Sequence, residues 1–471
     1  MNPPEFQLSP PPDTNPIFGG ERWKKVHQAL GEPLAELPSK SWEVVEAEKA
    51  KDMRHVLEFP YNGEPPPEKL HENLITPNQY HFVRNHGGIP TIDSSQCTLI
   101  VDGLVNKPSE MGLSVLQDGD IFRQQSLIAT IQCSGNRRSE LLTQYPAEGD
   151  DMINAPWEQR AISTAKWTGV SLRDVIDYCG GFAAGGRHVE LIGADTYIKG
   201  NTPLNYAVSV PWAKINADQV LLAWEMNGRP LPRIHGGPLR AVVLGSIGAR
   251  STKWLYRIRV LDQPSMSPVQ RVEYLFFNHQ VSKANGDFKN GMPILEMPVS
   301  SAILSPRSKD VIIHEGTIHV RGWAYSGGGR WPEIVEVSTD DGYSWNTVPD
   351  ENLTPKHMFA LRLWEIKIPV SIEGWIDLKC RTFDNALNTQ PSSAREVWNW
   401  SAHVTHCQHR VSVFSIDKRN SNTAKQLENI KAQGKGLVPV TLPARFRDAE
   451  TGSRWHEPPE LQPRSAKDDH T

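Results

Sequence analysis

The chain has 471 residues, too many for one ordinary domain and enough for two or three. Hydrophobic residues make up 38% and charged residues 22%, with 15 tryptophans, so a sizeable globular core is expected. A net charge of -4 gives no electrostatic basis for nucleic-acid binding, and no apolar run approaches the roughly 18 residues of a membrane span.

Residues 1–75 read as an N-terminal arm rich in Pro, Glu and Lys. It opens MNPPEFQLSPPPDTNP, which is polar and lacks an apolar h-region, so no secretory signal is expected. SWEVVEAEKAKDMRHVLEF carries a helical pattern, while residues 1–20 read equally well as a disordered tail.

Residues 76–289 alternate short strands with Gly/Pro turns and occasional helices, a mixed α/β unit. TLIVDGLV predicts a strand, a turn and a strand. SLIATIQ is a strand that leads straight into Cys133. VSLRDVIDYCGG predicts a short amphipathic helix closed by glycine. LRAVVLGSIGA predicts a buried strand whose glycines permit close backbone approach.

Residues 290–412 change character. GTIHVRGWAYSGGGR, EIVEVSTDDGYSW, LRLWEIKIPV and WIDLKCRTFDN are alternating strands at regular spacing, and DDG is a hairpin signal. An immunoglobulin-like β-sandwich is expected there. Residues 413–471 form a polar tail with a helical stretch at TAKQLENIKAQ. The fold class is therefore α+β.

Three clusters carry chemistry. CSGNRRSE places one soft thiol, Cys133, beside a tight turn and two guanidinium groups, Arg137 and Arg138. A lone cysteine is most often a small core hydrophobe. Polar, cationic neighbours instead favour a thiolate able to hold a soft metal, and arginine forks suit oxyanions. HFVRNHGGIP sets Arg84 and His86 around Asn85 ahead of two glycines, either a plain polar loop or one that contacts an anion. RIHGGPLRAVVLGSIGARSTKW gathers His235, Arg240, Arg250 and Lys253 about a buried strand. Those cations either snorkel from strand ends or meet a phosphate-bearing cofactor. The GxxGA near 245 lacks the order of a dinucleotide fingerprint.

Together the strings FVRNHGGIP, CSGNRRSE, AISTAKWTGVSLRDVI, LLAWEMNGRPLPRIHGGPLRAVVLGSIGARSTKWLYRI and RGWAYSGGGR resemble the sulfite oxidase family of molybdopterin-binding oxidoreductases. They fall in family order over about 80–345. The resemblance implies a molybdopterin-binding domain over 76–289 followed by a sandwich over 290–412 that forms a homodimer. It implies a molybdenum–molybdopterin cofactor with Cys133 as the metal ligand. Pterin contacts are implied at Phe82, Val83, Arg84, Asn85 and His86, at Asp195, at His235 and Arg240, and at Ser251, Thr252 and Lys253. The implied substrate pocket is Arg84, Arg138, Trp157, Tyr206 and Arg330. Tyr206 with Arg330 favours sulfite over nitrate.

The implied reaction is oxidation of sulfite to sulfate by oxo transfer at molybdenum. The implied electron acceptor is dioxygen or a separate c-type cytochrome. No haem, flavin or NAD module is expected: there is no CxxCH, and His71 and His81 are isolated. Two departures stand out. SELLTQYPAEGDDMINAPW is long, acidic and without the lysine that family members often carry, and Ile234 stands where an Asp often precedes the histidine. The alternatives are a nitrate-reductase-like core acting on another oxyanion, and a catalytically silent anion-binding protein.

The five cysteines, Cys97, Cys133, Cys179, Cys380 and Cys407, are scattered, odd in number and free of CxxC pairs. That excludes a disulfide framework and a zinc ribbon and fits a reducing compartment. The C-terminal SAKDDHT carries no peroxisomal tripeptide. A soluble intracellular protein is expected, in the cytoplasm, with peroxisome and mitochondrion left open.

Overall fold

The computed structural model describes residues 37–144, 155–199, 202–281 and 285–432. The readings made above for residues 1–36, for the acidic stretch 145–154 and for the tail beyond 432 lie outside the described residues.

The first domain is built on two five-stranded sheets. In one, Val220–Met226 and Gln124–Gln132 flank Ile162–Ser171, with Arg229–Pro230 and Arg240–Val243 both paired to Val220–Met226. In the other, Leu255–Leu261 runs parallel to Thr98–Gly103 and antiparallel to His188–Lys199, which pairs with Thr202–Pro211. The strand Ile162–Ser171 is almost wholly buried, as expected for a central strand paired on both edges. The chain leaves it through Ser171, whose hydroxyl accepts from the Arg173 N–H and caps the helix Leu172–Tyr178.

The arm is more integrated than its composition suggested. A helix forms over Leu37–Glu48, but the helical reading fails beyond it. Arg54–Leu57 is a strand, paired with Asn62–Glu64, which pairs in turn with Val83–Arg84. The reason is packing. Val44, Val45 and Tyr61 join Val83, Ile89, Ile234 and Trp254 in one apolar cluster, which draws this segment onto the first domain.

The second domain is a two-layer β-sandwich. One sheet is Ser300–Ser305, Thr317–Tyr325 and Arg362–Pro369. The other orders Val311–His314, His409–Asp417, Gly374–Asp384, Pro332–Ser338 and Asn346–Thr347. Gly374–Asp384 alternates buried and half-buried positions along most of its length, the period-2 signature read from the sequence. Val320, Val335, Val337, Trp364, Leu378 and Val413 fill the space between the layers. The closing strand runs to Asp417, past the 412 boundary, because it is clamped by Gly374–Asp384 on one side and Val311–His314 on the other. A helix follows at Ser421–Ala432.

The two domains share a core. Trp323, Tyr325, Leu361 and Leu363 of the sandwich cluster with Ile247 and Leu255 of the first domain. Trp323 Nε1 donates to Gln159 O at 2.9 Å, and Thr130 exchanges hydrogen bonds with Phe359 O and Leu361 N. Among the described residues no helix is long and apolar enough to cross a membrane.

Candidate cofactor and anion site

Cys133 stands at the end of the strand Gln124–Gln132, where the chain turns sharply. Its N–H donates to Ala161 O at 2.9 Å, and Asn136 N–H returns to Cys133 O at 3.0 Å. Asn136 Oδ1 accepts from Ala161 N–H at 2.9 Å, which pins the turn from the other side. The Gly135 N–H donates to the Cys133 sulfur at 3.4 Å. Gly135 is required here, because a Cβ would meet the Arg138 guanidinium at 2.6 Å. Although only 6% exposed, Cys133 lines a cleft of about 510 Å³, open solvent at its mouth included.

The two arginines of the turn divide their work. Arg137, at φ 67°, pairs with Glu140 at 2.8 Å and donates to Ser301 O and Cys407 O, so its charge is spent on the sandwich domain. Arg138 is equally buried but meets only neutral acceptors among the described residues: Ala402 O at 3.0 Å, Ala155 O at 2.9 Å and His403 Nδ1 at 3.4 Å. Burial pulls its pKa down to about 10, and the neighbouring Cys133 sulfur works against that shift. A buried cation without a carboxylate favours a nearby anion.

The rest of the cleft is assembled from the other two motifs. Phe82, Val83, Arg84 and His86 line one wall, and His235, Arg240 and Lys253 another. Arg240 donates to His235 O at 2.8 Å and to Ser251 O at 3.1 Å, and its guanidinium lies 4.9 Å from the Trp167 ring. Burial lowers its pKa to about 9. Burial also drives the Lys253 ammonium well down, with Arg240 adding to the effect and Asp195 opposing it. Lys253 Nζ donates to Asn85 Oδ1. Asp195 lies behind Lys253, and burial pushes its carboxyl up against that cation's pull. Ser251 Oγ accepts from Val243 N–H, and Thr252 Oγ1 reaches Leu191 O at 3.5 Å, so these two hold the wall and do not face the cleft. Trp157 is fully buried with its ring 6.3 Å from that of Phe82.

Two expected substrate contacts are placed differently. Arg330 is 45% exposed and 3.9 Å from Asp384, lining a separate cleft at the domain seam with Glu296 and His406. Tyr206 does line the Cys133 cleft, but its hydroxyl donates to Ala249 O at 2.6 Å. A second hydroxyl of the same cleft, that of Tyr274, lies 2.6 Å from His86 Nε2.

The sequence reading also passed over His81 and Lys49. His81 lines the cleft and stacks edge-on to His235 at 5.0 Å. Lys49, which follows the N-terminal helix, donates to Asn78 O at 2.6 Å and His81 O at 2.7 Å, and lies 3.2 Å from His235 Nε2.

The residues fit a large anionic cofactor with a hydrogen-bonding edge. Four buried polar atoms of these residues have no partner among the described residues: His81 Nε2, Asn85 Nδ2, Trp157 Nε1 and Asp195 Oδ1. Buried polar atoms are seldom left unpaired in a finished site. Arg84, Arg240 and Lys253 line the cleft with Arg138 beside Cys133, and among the described residues the carboxylate that acts on Lys253 is Asp195, so an anionic cofactor would balance an excess of cations. Among the described residues no cluster of three His, Cys, Asp or Glu side chains could hold an ion alone, so the Cys133 sulfur would be one ligand to a metal otherwise held by the cofactor.

Comparison with known proteins agrees. Residues 86–269 match the family model of the oxidoreductase molybdopterin binding domain, and residues 292–416 match the Mo-co oxidoreductase dimerisation domain. The mitochondrial sulfite oxidase of Homo sapiens is 38% identical over 362 residues, covering 75% of this chain and 64% of that one. The sulfite oxidase of Gallus gallus is 38% identical over 357 residues, 74% of this chain and 75% of that one. The chain thus spans just under two thirds of the human relative's length. Among solved structures, the sulfane dehydrogenase SoxCD of Paracoccus pantotrophus matches with a TM-score of 0.62 at 24% identity, covering 76% of this chain and 84% of that chain, a likeness of fold.

Proposed function

This chain belongs to the sulfite oxidase family of molybdopterin-dependent oxidoreductases, and from that premise we propose that it oxidises sulfite to sulfate. The observation that carries the reading is one thiol, Cys133, at a cleft beside a buried guanidinium, Arg138, that meets only neutral acceptors among the described residues. Balanced, sulfite and water give sulfate, two protons and two electrons. When bound, the molybdenum cofactor supplies two-electron oxo transfer.

The chain's own residues do the holding and the positioning. Cys133 provides the protein thiolate. Arg240 and Lys253 neutralise the cofactor phosphate, His235 adds a neutral hydrogen-bonding ring, and Asp195 accepts from the pterin N–H edge. Arg84 and Arg138 draw the oxyanion in, and the Tyr274 hydroxyl donates to it. Catalysis is then charge complementarity and orientation more than acid–base chemistry. The electrons leave to dioxygen or to a separate c-type cytochrome, and two chains associate through the sandwich domain. The five cysteines, all free, support a reducing compartment.

A second reading has one observation in its favour. The preference for sulfite over nitrate rested on Tyr206 with Arg330, and Arg330 lies outside the Cys133 cleft. A nitrate-reductase-like core is the reaction this leaves open. Purified protein from a host that makes the cofactor is assayed with sulfite plus ferricyanide, with sulfite under air and peroxide detection, and with nitrate plus reduced viologen. About one molybdenum per chain and sulfite turnover are expected. Nitrate turnover alone selects the second reading. A metal-free chain from such a host selects the silent anion-binding protein.

A further inference from the structure

The sandwich domain packs a histidine against the back of the Cys133 turn. His403 lies in the segment between the short helix Ala394–Val397 and the strand His409–Asp417, and it is 1% exposed. Its backbone is unusual on both sides. Ala402 has φ 48° and Val404 φ 57°, left-handed conformations that a β-branched residue rarely adopts. Strain of this kind persists only where surrounding contacts enforce it, and it gathers at functional positions.

The enforcing contacts can be named. Asn399 clamps the residue from its own loop: its Oδ1 accepts from the His403 N–H at 3.1 Å and its Nδ2 donates to His403 O at 2.8 Å. Across the domain boundary, Val404 N–H donates to Ser134 O at 2.5 Å. The Arg138 Nε–H donates to Ala402 O at 3.0 Å. Both left-handed residues therefore present backbone groups to the turn that follows Cys133.

The imidazole completes this arrangement in one tautomer. Nε2 lies 2.8 Å from Glu273 O, a pure acceptor, so Nε2 carries the proton. Nδ1 is then a lone pair. It accepts from the Ser134 hydroxyl at 3.0 Å and faces Arg138 Nη2 at 3.4 Å. The ring also sits 5.2 Å from that of Tyr274, which lines the cleft. One neutral side chain thus touches the Cys133 turn, the Arg138 guanidinium and the segment that bears Tyr274.

We propose that His403 is a positioning residue through which the second domain sets the anion affinity of the Cys133 cleft. It holds Arg138 with a neutral acceptor, so the guanidinium is oriented while its charge stays available to the bound oxyanion. A carboxylate in the same place would orient it equally well and neutralise it. The inference deepens the proposed function and rests on its reading of the cleft as an anion site.

The test uses holoenzyme carrying His403→Asn, His403→Gln or His403→Leu. Asparagine can place an acceptor oxygen near the Nδ1 position, and glutamine reaches toward the Nε2 position instead. Molybdenum content, sulfite KM and kcat, and the affinity for inorganic sulfate, read from the visible absorption of the oxidised metal, are measured for each. Loss of one oriented charge-assisted hydrogen bond is expected to raise KM and the sulfate Kd about tenfold in the leucine and glutamine variants. kcat is expected within about threefold and metal content unchanged, and asparagine is expected to recover most of the affinity. Wild-type KM and sulfate affinity in a metal-loaded leucine variant overturn the proposal. So does equal weakening in the asparagine and glutamine variants, which is what a merely structural role predicts. If the leucine variant fails to fold, the asparagine–glutamine pair decides. If wild-type holoenzyme shows no sulfite turnover, the proposed reaction fails, and the sulfate affinities still decide the role of His403.

Discussion

Lys49 Nζ lies 3.2 Å from His235 Nε2, joining the N-terminal helix to the wall of the cofactor cleft. The ammonium donates to Asn78 O and His81 O, and His235 Nε2 lies beside it. The same ring nitrogen is 3.1 Å from Asn78 O, so Lys49, His235 and that carbonyl form one buried cluster. Burial drives the pKa of both groups down, so the contact exists at a cost that its neighbours must offset.

Lys49→Met is therefore expected to loosen the cofactor more than it harms the fold. Two carbonyls lose their partner, at about 1–3 kcal/mol each where they stay dry. Molybdenum and pterin per chain should fall several-fold at unchanged far-UV circular dichroism. Full cofactor content after extended dialysis would remove the N-terminal segment from the site.

The two tyrosines of the cleft make opposite forecasts. Tyr274→Phe removes the hydroxyl beside His86, and sulfite kcat/KM is expected to drop about 10- to 100-fold, the worth of one hydrogen bond in a desolvated site. Tyr206→Phe removes a bond to Ala249 O, so the expected change is a loss of about 1 kcal/mol in stability and a much smaller loss in turnover. Steady-state kinetics of the two variants, compared with their melting temperatures, check the assignment. The reverse ranking would restore Tyr206 as the substrate contact.

Arg330→Ala tests the companion residue. Its guanidinium is half exposed and sits near Asp384, so sulfite KM is expected within about twofold of wild type, as for an ordinary surface ion pair. A large KM increase would mean that the loop reaches the Cys133 cleft in the working enzyme.

These cases also mark what the sequence disclosed. Cys133, Arg138, His235 and Arg240 stood out because each sits in a contiguous string whose residue types are hard to explain as core or surface. Tyr274, Lys49 and His403 sit in segments with no local pattern, and only tertiary packing brings Tyr274 into the cleft and the other two against its surroundings. Arg330 ends a glycine-rich loop with the local look of an anion loop, and in the fold it lines the separate cleft at the domain seam. At the level of elements, RHVL lay inside a helical periodicity and became a strand when Asn62–Glu64 offered it a partner. Local propensity lost to pairing and burial there.

Cys133→Ser separates the sulfur from the fold around it. A hydroxyl is close in size and keeps the turn, which is held by Asn136 and Ala161 and not by the side chain. It stays protonated near neutral pH and is a poor match for a soft metal. The variant is expected to fold and retain pterin, with sulfite turnover down by at least about 100-fold. Near wild-type turnover would overturn the ligand assignment.

Acid should destabilise the protein well above the usual carboxylate range. Burial depresses His81, His86, His235 and His409, and takes His403 down to about 3. In the unfolded chain these imidazoles bind protons below about 6.5, while the folded protein keeps them neutral. The unfolded state then holds more protons, so stability is full above about pH 6.5 and falls as the pH drops toward the depressed folded values, by up to about 1.4 kcal/mol per pH unit for each imidazole. Asp195 acts with the opposite sign, because burial raises it and the folded state binds its proton more readily. Asp174 is raised as well, but His55, His71, His188 and His406 are depressed like the five above, so the histidines stay in control. The carboxylates Asp340 and Asp417 are held down near 2 by their hydrogen bonds and lose their contribution only at still lower pH. Calorimetric melts of holoenzyme between pH 8 and pH 5 should show a plateau that breaks near 6.5 and then declines, and a melting temperature that stays level or rises down to pH 5.5 would contradict the neutral, buried state of these rings.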